Sequence, residues 1–217
     1  MSATYPPQPW DLVGRGWITT WALDRAALPE LPAGVRPVGR RGRAVAATMF
    51  VDYGASGLLA YGELLAGVLV RRGARVGLAI TDIWVDSPAS REGGRALWGV
   101  PKELADFGDL STEPVDGELV ASTAGADLAR ASFTPARLPG VPLPLPVTAF
   151  IAQTVPVGPS DAPGAETVWT PVRAGARSVR LARGRWSSPA TSPLGWMTGA
   201  RPLASVVADG FEMRFGA

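Results

Sequence analysis

The chain alternates short apolar runs with glycine and proline from end to end, the pattern of pleated strands joined by tight turns rather than of long helices. Runs rich in Val, Ile, Thr, Trp and Phe suit a half-buried pleated surface. They predict strands over residues 16–23, 44–53, 57–70, 75–86, 117–122, 127–134, 167–172, 177–182 and 205–215, and Ala124-Gly125-Ala126 reads as a hairpin turn between two of them. One helix carries start signals. Ser87 can cap it, Pro88 suits its first position and Glu92 lies in its early turns, so it is expected over about residues 88–97, weakened by Gly93-Gly94. Residues 135–146 carry prolines at 135, 139, 142, 144 and 146. Proline interrupts helix interiors and central strands, so this stretch is expected to be a connection across the surface.

A length of 217 residues, 47% of them hydrophobic and without internal repeats, fits one domain over residues 1–217 with a sizeable core. The expected class is α+β, mostly antiparallel β, with few short helices. The chain has no cysteine and no histidine. That excludes disulfides, thiolate nucleophiles, the Ser-His-Asp arrangement and metal sites built on imidazole or thiolate. Chemistry must rest on carboxylates, tyrosines, arginines, hydroxyls or lysine.

A net charge of +2 is too small to point to a polyanion. The arginines at 173, 177, 180, 183 and 185 alternate unevenly with apolar residues and read as the wet face of strands, so no nucleic-acid partner is expected. The start of the chain lacks the basic segment and apolar core of a secretory signal, and there is no apolar run of about eighteen residues. No membrane association is expected, and the expected location is cytoplasmic.

Among 21 basic residues one is a lysine, Lys102, in the segment Leu97-Trp98-Gly99-Val100-Pro101-Lys102-Glu103-Leu104. Only the lysine amine can lose its proton near neutral pH and attack a carbonyl to form a Schiff base. A free lysine is neutral in roughly one molecule in two thousand at pH 7. Apolar burial lowers its pKa by up to about 3–5 units, and Trp98, Val100, Pro101 and Leu104 could supply that burial. Glu63, between Tyr61 and the apolar run that follows, would be costly to bury unpaired, so it needs a partner or must be exposed.

The segments Asp86-Ser87-Pro88-Ala89, Gly94-Arg95 and Trp98-Gly99-Val100-Pro101-Lys102-Glu103-Leu104 resemble the signature of the acetoacetate decarboxylase superfamily. Ala60-Tyr61-Gly62-Glu63 and Gly14-Arg15-Gly16-Trp17 extend the resemblance, which is specific over about residues 5–110. It implies a single-domain β-barrel that assembles into homo-oligomers and acts on a small-molecule keto acid. It implies Lys102 as the catalytic amine, Glu63 as a catalytic group facing the site, and Arg15 as the partner of the substrate carboxylate. Trp98 is a candidate pocket wall, although such a tryptophan is more often core.

One position departs from the family pattern, in which a second lysine follows the first: this chain has Glu103. A carboxylate near Lys102 would raise its pKa and oppose activation. If Glu103 points away, burial must do the lowering; if it points inward, it suits proton transfer or substrate contact. The expected activity is a lyase that decarboxylates a β-keto acid such as acetoacetate, with no metal or organic cofactor. The alternatives are an aldolase-dehydratase condensing a pyruvate-like donor with an aldehyde through the same imine, and a non-catalytic ligand-binding protein that keeps the pocket.

Overall fold

A computed structural model describes residues 5–110, 117–157 and 164–216. The strands are β1 (Trp10–Asp24), β2 (Arg36–Pro37), β3 (Arg43–Tyr53), β4 (Tyr61–Arg72) and β5 (Arg75–Val85), followed by the helix α1 (Pro88–Trp98). After the helix come β6 (Lys102–Leu104), β7 (Asp106–Phe107), β8 (Leu119–Thr123), β9 (Ala126–Pro135), β10 (Val141–Val157), β11 (Gly164–Ser187) and β12 (Arg201–Phe215). No helix among the described residues is long and apolar enough to cross a membrane.

Strand pairing runs β10-β5-β4-β3-β1-β12-β11, and β11 pairs back with β10, so seven strands close into a barrel. All of these seams are antiparallel except β5 with β10, which is parallel at Leu78 and Ile151 and is reinforced by Gln153 Nε2 donating to the Ile80 carbonyl at 3.1 Å. Beyond Ala182 strand β11 leaves the barrel to pair with β9, and β8 and β7 extend that second layer.

This arrangement gives the barrel wall two buried faces. Side chains alternate along a strand, and in β3 and β4 Phe50 and Leu64 face the outer layer while Val51 and Leu65 face the interior. Strand β4 is therefore buried continuously from Tyr61 to Val68. A strand covered on both faces reads as an unbroken apolar run, as this one does from Leu64 to Val70.

The hairpin forms as expected, with Ala124 and Gly125 at φ 46° and 82°, the paired positive values that a two-residue hairpin turn requires. Three expectations are corrected. The two strands expected over 167–172 and 177–182 are one long strand, β11, because the intervening residues pair with β12 without a break in the chain. Residues 147–157, for which no strand is predicted, form the C-terminal part of β10.

The proline-rich stretch is a surface connection only as far as residue 140. From Val141 the chain pairs with β11, with register slips between Val141 and Leu143 and between Leu143 and Val147. An irregular ladder leaves positions where the missing proline N–H costs nothing.

Candidate active site

The helix α1 delivers the lysine. Ser87 caps it by accepting from the Ser90 amide at 3.2 Å, Pro88 occupies its first position, and Gly99 ends it at φ 66° with its amide donating to the Arg95 carbonyl at 3.1 Å. The chain then turns so that β6 lies parallel to β5, with Lys102 beside Ile83.

The two helix glycines have a packing reason. A Cβ at Gly93 would lie 2.5 Å from the Trp10 ring, and one at Gly94 would lie 2.8 Å from Cδ of Lys102. The lysine stem passes over the bare Gly94 backbone into the barrel.

Inside, Lys102 is 6% exposed and Glu63, on β4, 3%. Lys102 Nζ donates to Glu63 Oε2 at 2.7 Å, to Ser90 Oγ at 3.0 Å and to the Tyr61 hydroxyl at 3.3 Å, so each of the three ammonium protons has an acceptor. The Tyr53 hydroxyl donates to the other carboxylate oxygen, Glu63 Oε1, at 3.2 Å. The costly buried carboxylate thus has the partner it requires.

Burial pulls the Lys102 pKa down, but the Glu63 charge, Tyr61 and their hydrogen bonds outweigh it and leave the pKa above its ordinary value. The resting lysine is an ammonium ion held by a carboxylate. Burial pushes the Tyr61 hydroxyl up to about 12 against the opposing pull of Lys102, and it pushes Tyr53 well up, with Glu63 adding to the effect. Both phenols are therefore neutral donors or acceptors at physiological pH.

The pair closes one end of an apolar cavity of about 730 Å³ inside the barrel. Trp98 is among its lining residues. Its ring packs against Trp10 and Phe215, and its Nε1 donates to Gln8 Oε1 at 3.1 Å.

The structure does not bring Arg15 and Glu103 to this cavity. On β1, Gly16 and Ile18 face inward, which turns Arg15 to the other face, where its Nε donates to Asp209 Oδ1. Glu103 follows the inward Lys102 on an extended strand and so points out, 59% exposed and paired with Arg95. The pocket carboxylate that opposes lysine activation is therefore Glu63. Burial does not prevail in lowering the pKa.

Sequence reasoning missed Ser90, Tyr53 and the contact role of Tyr61. The only signals were a second serine three residues after the cap and two tyrosines placed opposite each other across β3 and β4. Among the described residues no group of three or more His, Cys, Asp or Glu is placed to hold a metal.

A barrel closed around one buried amine and its carboxylate partner has the acetoacetate decarboxylase-like fold. The chain is a member of the acetoacetate decarboxylase (ADC) family, whose profile matches residues 1–206. No curated protein matches it significantly.

Among solved structures it resembles the acetoacetate decarboxylase of Legionella pneumophila, with TM-score 0.74 and 18% identity over 100% of this chain and 88% of that one. It resembles an acetoacetate decarboxylase-like enzyme of Sphingomonas wittichii RW1, with TM-score 0.71 and 20% identity over 98% and 92%. It also resembles the enduracididine biosynthesis enzyme MppR complexed with the condensation product of pyruvate and imidazole 4-carboxaldehyde, with TM-score 0.68 and 19% identity over 99% and 88%. At these identities the likeness concerns the fold.

Proposed function

We propose that the protein decarboxylates a β-keto acid, acetoacetate being the smallest member of the class, through a Schiff base on Lys102. The observation that carries the reading is the Lys102 and Glu63 pair at the closed end of an apolar cavity. In the resting pair the amine is protonated and cannot attack. A proton moves from Nζ to Glu63 Oε2 along the 2.7 Å hydrogen bond, leaving a neutral amine and a neutral acid. Exclusion of water favours this exchange, because two neutral groups lose less on desolvation than two ions.

The amine adds to the ketone carbonyl, Glu63 returns its proton to the departing oxygen, and loss of water leaves the iminium ion. The bond to the carboxylate then breaks, its electron pair moves into the iminium, and carbon dioxide and an enamine result. Protonation of the enamine carbon and hydrolysis release the ketone and restore the amine. The Tyr61 and Ser90 hydroxyls hold Nζ in place through these steps.

The cavity wall supports decarboxylation over condensation. Among the described residues no arginine lines it, and Lys102 is its one cation. A substrate carboxylate there is stranded in apolar surroundings, and its charge disappears from that oxygen pair as carbon dioxide leaves. A pyruvate-like donor keeps its carboxylate through an aldol condensation and would need a cation that this wall does not supply. The MppR complex keeps condensation with dehydration as the rival reading, through the same imine.

Borohydride trapping on Lys102 together with carbon dioxide release from β-keto acids, both lost in Lys102→Arg, is the expected result. A larger unsaturated product from pyruvate and an aldehyde, without carbon dioxide, would assign the rival reaction.

A further inference from the structure

The cavity that ends at Lys102 is far larger than imine formation on acetoacetate requires. At about 730 Å³ it lies in the range that accommodates drug-sized ligands, about 300–1,000 Å³. Its ionisable lining groups are Lys102, Glu63, Tyr53 and Tyr61, and their hydrogen bonds place all four at one end. The rest of the chamber offers a polar guest almost nothing, and water in an apolar space gains few partners.

The chamber has a direction. Its lining reaches Val76 and Leu143, which are 49% and 39% exposed and mark the opening. Val76 precedes Ile83, the strand neighbour of Lys102, by seven positions on β5, a separation of roughly 23 Å at about 3.3 Å per residue.

The volume comes from small residues at inward positions: Gly16, Ala47, Ala149, Ala174, Ala176 and Ala208 all line the chamber. Close packing does not require glycine at Gly16. A Cβ there would meet nothing nearer than the Phe211 ring at 3.8 Å, so the bare backbone leaves open room.

We infer that the substrate of this site carries a long apolar tail, with its carbonyl at Lys102 and its tail directed toward Val76 and Leu143. The inference rests on the imine reading for the position of the carbonyl, and on the chamber alone for the tail. It links binding to chemistry. A tail that fills the chamber dries the Lys102 and Glu63 pair and so favours the neutral amine, whereas acetoacetate leaves room for water beside the ions.

The test uses the intact protein and a series of methyl ketones from acetone to decyl methyl ketone, with affinity read by calorimetry and imine formation read separately by borohydride trapping. Affinity is expected to rise roughly fourfold per added methylene, the usual gain from apolar burial. Ala47→Phe, which narrows the chamber, is expected to cut off the rise at shorter ketones. Affinity independent of chain length, or an Ala47→Phe protein that binds the longest ketone as the wild type does, would overturn the inference. A rising affinity without a trapped adduct at any length would uphold the apolar tail and refute the imine reading instead. If Ala47→Phe does not fold, the wild-type series decides alone.

Discussion

Glu63 Oε2 lies 2.7 Å from Lys102 Nζ, and the two residues come from strands 39 positions apart in the chain. Both are buried, and the Glu63 charge helps to hold the lysine proton. Glu63→Gln removes the charge that holds the lysine proton, so that burial, still opposed by Tyr61, lowers the Lys102 pKa from its value in the wild type. The pH profile of borohydride trapping is expected to move to lower pH. Turnover is expected to fall by about 100-fold or more, because the amide cannot carry a proton. A trapping profile identical to the wild type would mean that Glu63 does not control the amine.

The raised values of Lys102 and Tyr61 make stability depend on alkaline pH. Both groups bind their proton more tightly folded than unfolded. Their contribution is complete below the unfolded values of 10.5 and 10.0, and it is lost as pH rises through the folded ones. For Tyr61, whose folded value is about 12, this amounts to about 3 kcal/mol lost between about pH 10 and 12. Denaturant titrations across that window are expected to show a steep decline in the wild type and a shallower one in Tyr61→Phe. Equal slopes would show that Tyr61 does not titrate in this way.

Gly93 and Gly94 are expected to respond differently to alanine. At Gly93 the new methyl meets the Trp10 ring, and overpacking is expected to cost about 1–3 kcal/mol of stability. At Gly94 it meets the lysine stem, which can move while the fold stays intact. Gly94→Ala is therefore expected to keep near-normal stability but lose up to about 100-fold in trapping rate, since a small misplacement of a reacting group costs that much. Melting curves and trapping rates measured on both variants separate the two effects.

Arg15→Gln and Glu103→Gln test the outward placement of both side chains. Neither is expected to alter KM. Arg15→Gln should lower stability, because Asp209 loses an arginine partner and, among the described residues, keeps Arg180. Glu103→Gln should change stability by less than about 1 kcal/mol, as for other exposed ion pairs. A large rise in KM for Arg15→Gln would put that guanidinium on the substrate after all.

Much of the local structure was legible in the chain. Ser87, Pro88 and the residues after them specify a capped helix wherever they stand, and Ala124-Gly125 specifies a tight turn, because these depend on backbone preferences of near neighbours. The lone lysine limited the chemistry in the same way, since no tertiary contact can supply a thiol or an imidazole that the chain lacks. Strand β10 was less legible. Its prolines argue against pairing, and only the irregular register with β11 makes them acceptable.

The site itself depended on distant pairings. Strand β5 pairs with β4 on one side and β6 on the other, which brings Glu63 and Lys102 together, and Ser90 reaches the amine because α1 packs against β5 and β6. Alternation shows that neighbours face opposite ways but not which of them faces in, and a register shift such as the one between Gly14 and Arg15 resets the parity. The chamber is likewise a sum of small inward residues on strands far apart in sequence. The sequence by itself determined the capped helix, the hairpin and the chemical repertoire, because those follow from residue type and near neighbours. Only the tertiary structure decided which carboxylate meets the lysine and how much apolar space lies beyond it, because both depend on how remote strands close into one barrel.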